Sequence, residues 1–183
     1  MKKVRPIQCK RNYFIEWKAK GVMFLFLIAF LMTGCARYTW KIEPSEQIVD
    51  NEYFSASISP SAEWDDYRNG YIAFDLTIKN HSSEDIELDW NKTLYIENNQ
   101  TKGGFVFEGI IYRDRNNPKL PDIIFSGAEF RKTICPSVLV LFAERWNHDL
   151  IPSGHNGVYL TVKIKDKEVN EKILLDMSKV PSQ

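Results

Sequence analysis

The residues best equipped by type for chemistry form one short run, Glu144-Arg145-Trp146-Asn147-His148-Asp149. A carboxylate close to an imidazole is the minimum for acid–base work, with His148 as the base. Adjacency alone argues little for contact, because neighbouring residues in a strand point to opposite faces. The same run also reads as a loop whose Trp146 packs inward while its polar residues face water. His81, in a polar turn, and His155, in Ser-Gly-His-Asn-Gly, read as solvated loop residues. The chain contains no H-E-x-x-H pair for zinc, no G-x-x-x-x-G-K-[ST] phosphate cradle and no G-x-S-x-G nucleophile turn. Asp114-Arg115-Asn116-Asn117 lacks the alternating acids, central Gly and terminal Glu of a calcium loop. Neither a metal nor a cofactor is expected on these grounds.

Aromatic residues offer a different chemistry. Flat rings with polar rims suit glycans and peptides. Trp64 and Tyr67 lie in a polar stretch and, with Trp146 and His148, are the candidate binding residues. Trp90 instead continues the apolar face of a strand and is expected in the core.

Three cysteines stand at positions 9, 35 and 135. Residues 1–21 are polar and basic, and an unbroken apolar run of eleven follows at 22–32, then Thr33, Gly34 and Cys35. An apolar run of this length behind a positive region and before small residues reads as a secretory signal peptide. It is short for a membrane span, which needs about 20 residues. Leu31-Met32-Thr33-Gly34-Cys35 resembles the lipobox of bacterial lipoproteins, departing from it in carrying Met32 where that family usually has Leu. The resemblance implies a diacylglycerol thioether on Cys35, cleavage before it and acylation of the new amino terminus. It also implies an outer-membrane destination in a Gram-negative cell, since Ala36 and not Asp follows the cysteine. Two or three acyl chains hold a protein firmly where one binds reversibly. Cys135 is then left without an intrachain partner and reads as a small buried apolar residue.

The leader also hides a charge asymmetry. Residues 1–34 carry seven basic residues and one acid, which leaves 17 basic against 23 acidic residues beyond them, a net charge of −6. An acidic domain without a basic stripe repels phosphate backbones, so nucleic acid is excluded as a partner.

Beyond the leader the periodicity is that of strands. Ile72, Phe74, Leu76 and Ile78 alternate with polar residues, as do Ile86, Leu88 and Trp90, with Leu94 and Ile96 continuing that face. Val158, Leu160, Val162 and Ile164 begin a hairpin turning at Asp166-Lys167 and returning through Val169, Ile173 and Leu175, with Glu171 out of place. Residues 138–142 read as a buried strand, with helix over 137–146 as the alternative. The segments 98–104 and 113–121 read as loops. Short strands, frequent turn signals and no convincing amphipathic helix predict an all-β chain, a single antiparallel β-sandwich after an N-terminal signal-peptide helix. The passage from Phe74 to Trp90 loosely resembles immunoglobulin-like bacterial envelope domains at the level of the fold. The expected divisions are a signal peptide over 1–34, a lipid anchor and tether over 35–52 and the sandwich over 53–178, with a frayed end.

The expected function is a membrane-anchored, non-enzymatic domain that binds or supports an envelope protein or glycan. Two alternatives stand beside it. One is an envelope hydrolase whose site is assembled from distant residues. The other is an inhibitor or assembly accessory that offers an edge strand or a loop, such as 98–104 or 113–121, to its partner.

Overall fold

Residues 38–61, 70–142 and 146–182 are described by a computed structural model, the side chains of Phe142, Trp146 and Asn147 excepted. The signal segment and Cys35 lie outside them. The described chain is a β-sandwich of antiparallel sheets. The first sheet runs β1 (Tyr38–Glu43), β14 (Lys167–Pro181), β13 (Gly154–Ile164), β5 (Ile86–Leu88) and β9 (Asp122–Ile124), with β6 (Leu94–Glu97) following β5 along β13 and β7 (Gln100–Thr101) beside β6. The second runs β2 (Gln47–Asp50), β3 (Phe54–Ser61), β4 (Ala73–Asn80), β10 (Glu129–Pro136) and β8 (Phe105–Val106). A separate ribbon pairs β11 (Val140–Phe142) with β12 (Trp146–His148).

The core lies between the two inner faces. Phe74, Leu76 and Ile78 of β4 are buried beside Phe54, Ala56 and Ile58 of β3 and Ile134 of β10. Val158, Leu160 and Val162 of β13 and Ile173, Leu175 and Met177 of β14 belong to the same cluster. Every second residue is apolar because each strand has one face to bury, and burying a Leu, Ile or Phe stabilises by roughly 1.5–3 kcal/mol. Glu171 falls on an inward position of β14 and is half-buried, where its carboxylate accepts a 2.9 Å hydrogen bond from Asn51.

Several expectations need correction. The tether expected over 35–52 is sheet from Tyr38 onward, because β1 pairs with the tail of β14 over six residues and β2 pairs with β3. The same pairing carries β14 to Pro181, so the end expected to fray is a strand. The hairpin turns one residue earlier than expected, at Lys165-Asp166, with Ile164 opposite Lys167 and Lys165 at a φ of 53°. Residues 138–142 are not a buried sandwich strand, and the described residues of 137–146 form no α-helix. Ser137–Leu139 is a 3-10 turn leading into β11, and Val138 and Leu141 are exposed.

The face expected to continue through Leu94 and Ile96 reverses. Leu88 lies opposite Val162 and Tyr95 opposite Val158. Seven steps along one strand thus face four along the other, and an odd excess swaps inside for outside. Tyr95 enters the core fully buried. The bulge is closed by side chains. Thr93 Oγ1 accepts the Thr161 N–H at 3.2 Å, and Thr161 Oγ1 donates to the Lys92 carbonyl at 3.2 Å.

Candidate functional site

Of the Glu144–Asp149 run, the side chains that the structure describes are those of His148 and Asp149. His148 sits on β12, a strand and not a loop, and is buried, while Asp149 beside it is exposed. Glu144 lies outside the described residues, as do Trp64 and Tyr67. Trp146 is placed by its backbone alone, opposite Phe142. His155 is exposed at the start of β13, and His81 Nε2 meets the Asn51 carbonyl at 2.7 Å, tying one turn to another.

Among the described residues the structure brings Cys135 to His148, its Sγ 3.3 Å from Nδ1. Cys135 follows the inward Ile134 of β10 and faces the other way, into a second cluster with Ile72, Ala73, Val106 and Val140, where the ribbon brings His148 to it. The sulfur also reaches the Ile72 carbonyl at 3.1 Å. A thiol donating to that carbonyl leaves the sulfur to accept from an imidazole protonated at Nδ1. A nucleophilic cysteine needs the thiolate form and access to solvent. Here burial pushes the thiol up to about 12, and Cys135 has no exposed surface. Burial thus favours the protonated thiol, and the sulfur serves packing. With Cys35 replaced and the leader absent, Cys135 should resist alkylation at pH 8 in the folded chain and react fully in urea. Rapid labelling of folded protein, followed by mass spectrometry, would contradict this.

A cleft of about 560 Å³ lies on the side where β8 and β9 end their sheets, and a larger, more open one of about 790 Å³ lies against Phe107, Leu120 and Lys132. The segments 98–104 and 113–121, read separately as loops, meet at the smaller one. Asn98 and Asn99 take φ of 48° and 64°, the geometry of a two-residue hairpin turn, which returns the chain as β7 and delivers Lys102 to the rim. Residues 107–121 supply the facing wall, beginning with a 3-10 turn at Tyr112–Asp114. Asn91 clamps that wall in place, since its Nδ2 donates to the Lys119 carbonyl at 2.9 Å and its Oδ1 accepts the Lys119 N–H at 2.8 Å. The Arg115 guanidinium lies 4.1 Å above the Tyr112 ring, and its Nη1 donates to the Tyr112 carbonyl at 3.2 Å. Lys119 Nζ donates to the carbonyls of Arg115 at 3.0 Å and Asn117 at 3.2 Å. Partial burial lowers the pKa of this ammonium. Ser137 and the exposed Val138 and Leu141 complete the floor and lip.

Below the cleft an ion pair joins the sheets. Lys132 Nζ of β10 meets Asp122 Oδ2 of β9 at 2.5 Å, and the same carboxylate oxygen accepts the Trp90 indole N–H at 2.8 Å. Lys132 Nζ also lies 4.2 Å from the centre of the Phe107 ring. Trp90 is buried, as its place on the apolar face predicts. Sequence reasoning missed Lys102, Arg115 and Lys119. Each is an ordinary cation in a polar loop, and only their convergence distinguishes them.

Among the described residues no group of three His, Cys, Asp or Glu side chains could hold a metal ion. Comparison with known proteins identifies no family model that matches the chain and no curated protein similar to it.

Proposed function

We propose that the chain is the precursor of a bacterial lipoprotein, anchored through Cys35, whose β-sandwich binds another envelope component and does no chemistry on it. The observation that carries the anchor is the apolar run at 22–32 ending in Thr33-Gly34-Cys35. Only Ala36 and Arg37 separate that cysteine from the first strand residue, Tyr38. This reading therefore leaves no long tether between lipid and sheet. The buried thiol of Cys135, held above its ordinary pKa, and the open cleft nearby favour binding over catalysis. Without Asp after the cysteine, the outer membrane is the proposed destination in a Gram-negative cell.

The test is Cys35→Ala in cells fed an alkyne-tagged fatty acid. The expected result is complete loss of label and accumulation of a larger, unprocessed precursor. Normal processing of the variant would end the lipoprotein reading.

A second reading, an assembly accessory, draws on β9. This strand ends the first sheet, and Ile123 and Phe125 are exposed on and beside it. A partner strand added there would gain main-chain hydrogen bonds and two apolar contacts. In-cell crosslinking from position 123 to a single envelope protein would favour this reading over glycan or lipid binding.

A further inference from the structure

We propose that the cleft binds a small oxyanion, the phosphate or carboxylate of a saccharide or lipid headgroup, through Arg115, Lys119 and Lys102. The proposal deepens the binding reading and does not depend on lipidation at Cys35.

The first argument is electrostatic. Beyond the leader the chain carries a net charge of −6, and among the described residues many of its cations are paired. Lys41, Lys92, Lys132, Lys163, Lys165 and Lys167 each meet a carboxylate. Lys102, Arg115 and Lys119 meet none among the described residues, and they share one cleft whose lining holds no Asp or Glu. Three uncompensated cations converging on an acidic domain raise the local concentration of anions.

The second argument is geometry. Arg115 is held by its stacking on Tyr112 and by one hydrogen bond, which leaves other guanidinium N–H donors unused. Lys119 spends two of its three donors on carbonyls of the 107–121 wall, so its charge is positioned with one donor to spare. Ser137 is largely buried as a residue, but its hydroxyl, bonded to no described residue, is open to the cleft that it lines, since no fully buried side-chain N or O among the described residues lacks a partner. Beside it Gly103 takes a φ of 121°, a conformation that side-chain-bearing residues rarely adopt. Cations fixed before the ligand arrives lose little freedom on binding it. The cleft's volume suits a headgroup or a short glycan more than an extended polymer.

The third argument concerns Lys119. Its ammonium is partly desolvated, and an anion in the cleft would restore the interactions that burial removes.

The experiment is calorimetric titration of the full chain in neutral detergent with inorganic pyrophosphate, glycerol 1-phosphate and galacturonate at matched ionic strength. Saturable binding to at least one is expected, weakening as salt rises. Preference for glycerol 1-phosphate would mark a lipid source, and preference for galacturonate a glycan source. Arg115→Gln and Lys119→Gln should each weaken binding about tenfold or more, the scale of one charge-assisted hydrogen bond. Lys102→Gln, on the exposed rim, guards against misfolding of the other two and should weaken binding severalfold. Lys179→Gln, on β14 over Trp40, should leave it unchanged. No saturable binding, or binding indifferent to all three cleft substitutions, would overturn the proposal. Neither result bears on fatty-acid labelling of Cys35, so the two readings fail separately.

Discussion

Gly157→Ala should cost the domain about 3 kcal/mol or more, enough to lower its melting temperature by roughly 10 °C at this size. Gly157 lies inside β13, opposite Leu174 of β14 and Ile96 of β6. A Cβ there would fall 1.9 Å from the Ile173 carbonyl oxygen and 2.9 Å from its carbon. Both are backbone atoms of a paired strand, so no side chain can turn aside. Either β13 and β14 separate locally or the ladder breaks, and both are central strands of the first sheet. The lower entropy of alanine in the unfolded chain would offset only about 0.4–1 kcal/mol. Gly104→Ala is the control, since the nearest atom to its Cβ would be the Thr93 carbonyl oxygen at 3.9 Å. That variant should stay within about 0.5 kcal/mol of the parent, as surface changes usually do. Urea denaturation followed by tryptophan fluorescence reads both. Equal midpoints for the two variants would show that β13 and β14 have slack the structure does not reveal.

Gly157 also shows what periodicity can and cannot convey. The alternation of Val158, Leu160 and Val162 identifies the strand and its inner face, because a two-residue period with one apolar face has one economical solution. It says nothing of how near the next backbone comes. The same limit explains the reversed face at β6. No Gly or Pro marks 89–93, and the three extra residues are held by Thr93 and Thr161, which meet only once β13 is in place. A polar connection with an even excess would have kept Leu94 and Ile96 inward. The run at 138–142 misleads for a different reason. Five apolar residues in a row suit a strand buried on both faces, but this stretch pairs with 146–148 and leaves Val138 and Leu141 exposed at the cleft.

The candidate site was legible only in its parts. Pro118, Pro121, Gly103 and Gly104 announce loops, and loops carry most binding residues. Their meeting depends on β8 crossing to the second sheet, on the Asn98-Asn99 turn and on the Asn91 clamp, which joins residues 28 apart. Cys135 and His148 likewise look unrelated until β11 and β12 fold one over the other. A compact oxyanion cleft built this way has no motif, because its cations come from different connections and act by proximity alone.

The largest polar effect should come from Asn156→Ala, at about 3 kcal/mol. Asn156 is an inward residue of β13 with no exposed surface. Its Oδ1 accepts the Tyr95 hydroxyl at 2.6 Å, and its Nδ2 donates to the carbonyls of Pro152 at 2.7 Å and Gly154 at 3.1 Å. Alanine deprives three polar groups of a partner at once, the fully buried Tyr95 hydroxyl and two part-buried carbonyls. Tyr95→Phe removes a single donor and leaves Oδ1 unsatisfied, so it should cost about 1–2 kcal/mol. The double variant should fall short of the sum by about 1 kcal/mol, because the hydroxyl bond is lost only once. Additive losses would mean that Tyr95 and Asn156 do not share a bond in solution. Alkaline titration separates this pair from simple packing. Burial raises the Tyr95 phenol well above its ordinary value of 10, so the folded state holds a proton that the unfolded chain releases. Stability from this group is therefore fully present at neutral pH and falls as pH rises past 10. Tyr95→Phe, though less stable at pH 7, should lose less between pH 9 and 11 than the parent. The residual alkaline loss should trace to Cys135, whose thiol burial pushes up to about 12. Parallel decline of parent and Tyr95→Phe over that range would place the phenol in water and not at the bulge, where the reversed face of β6 has brought it against Asn156.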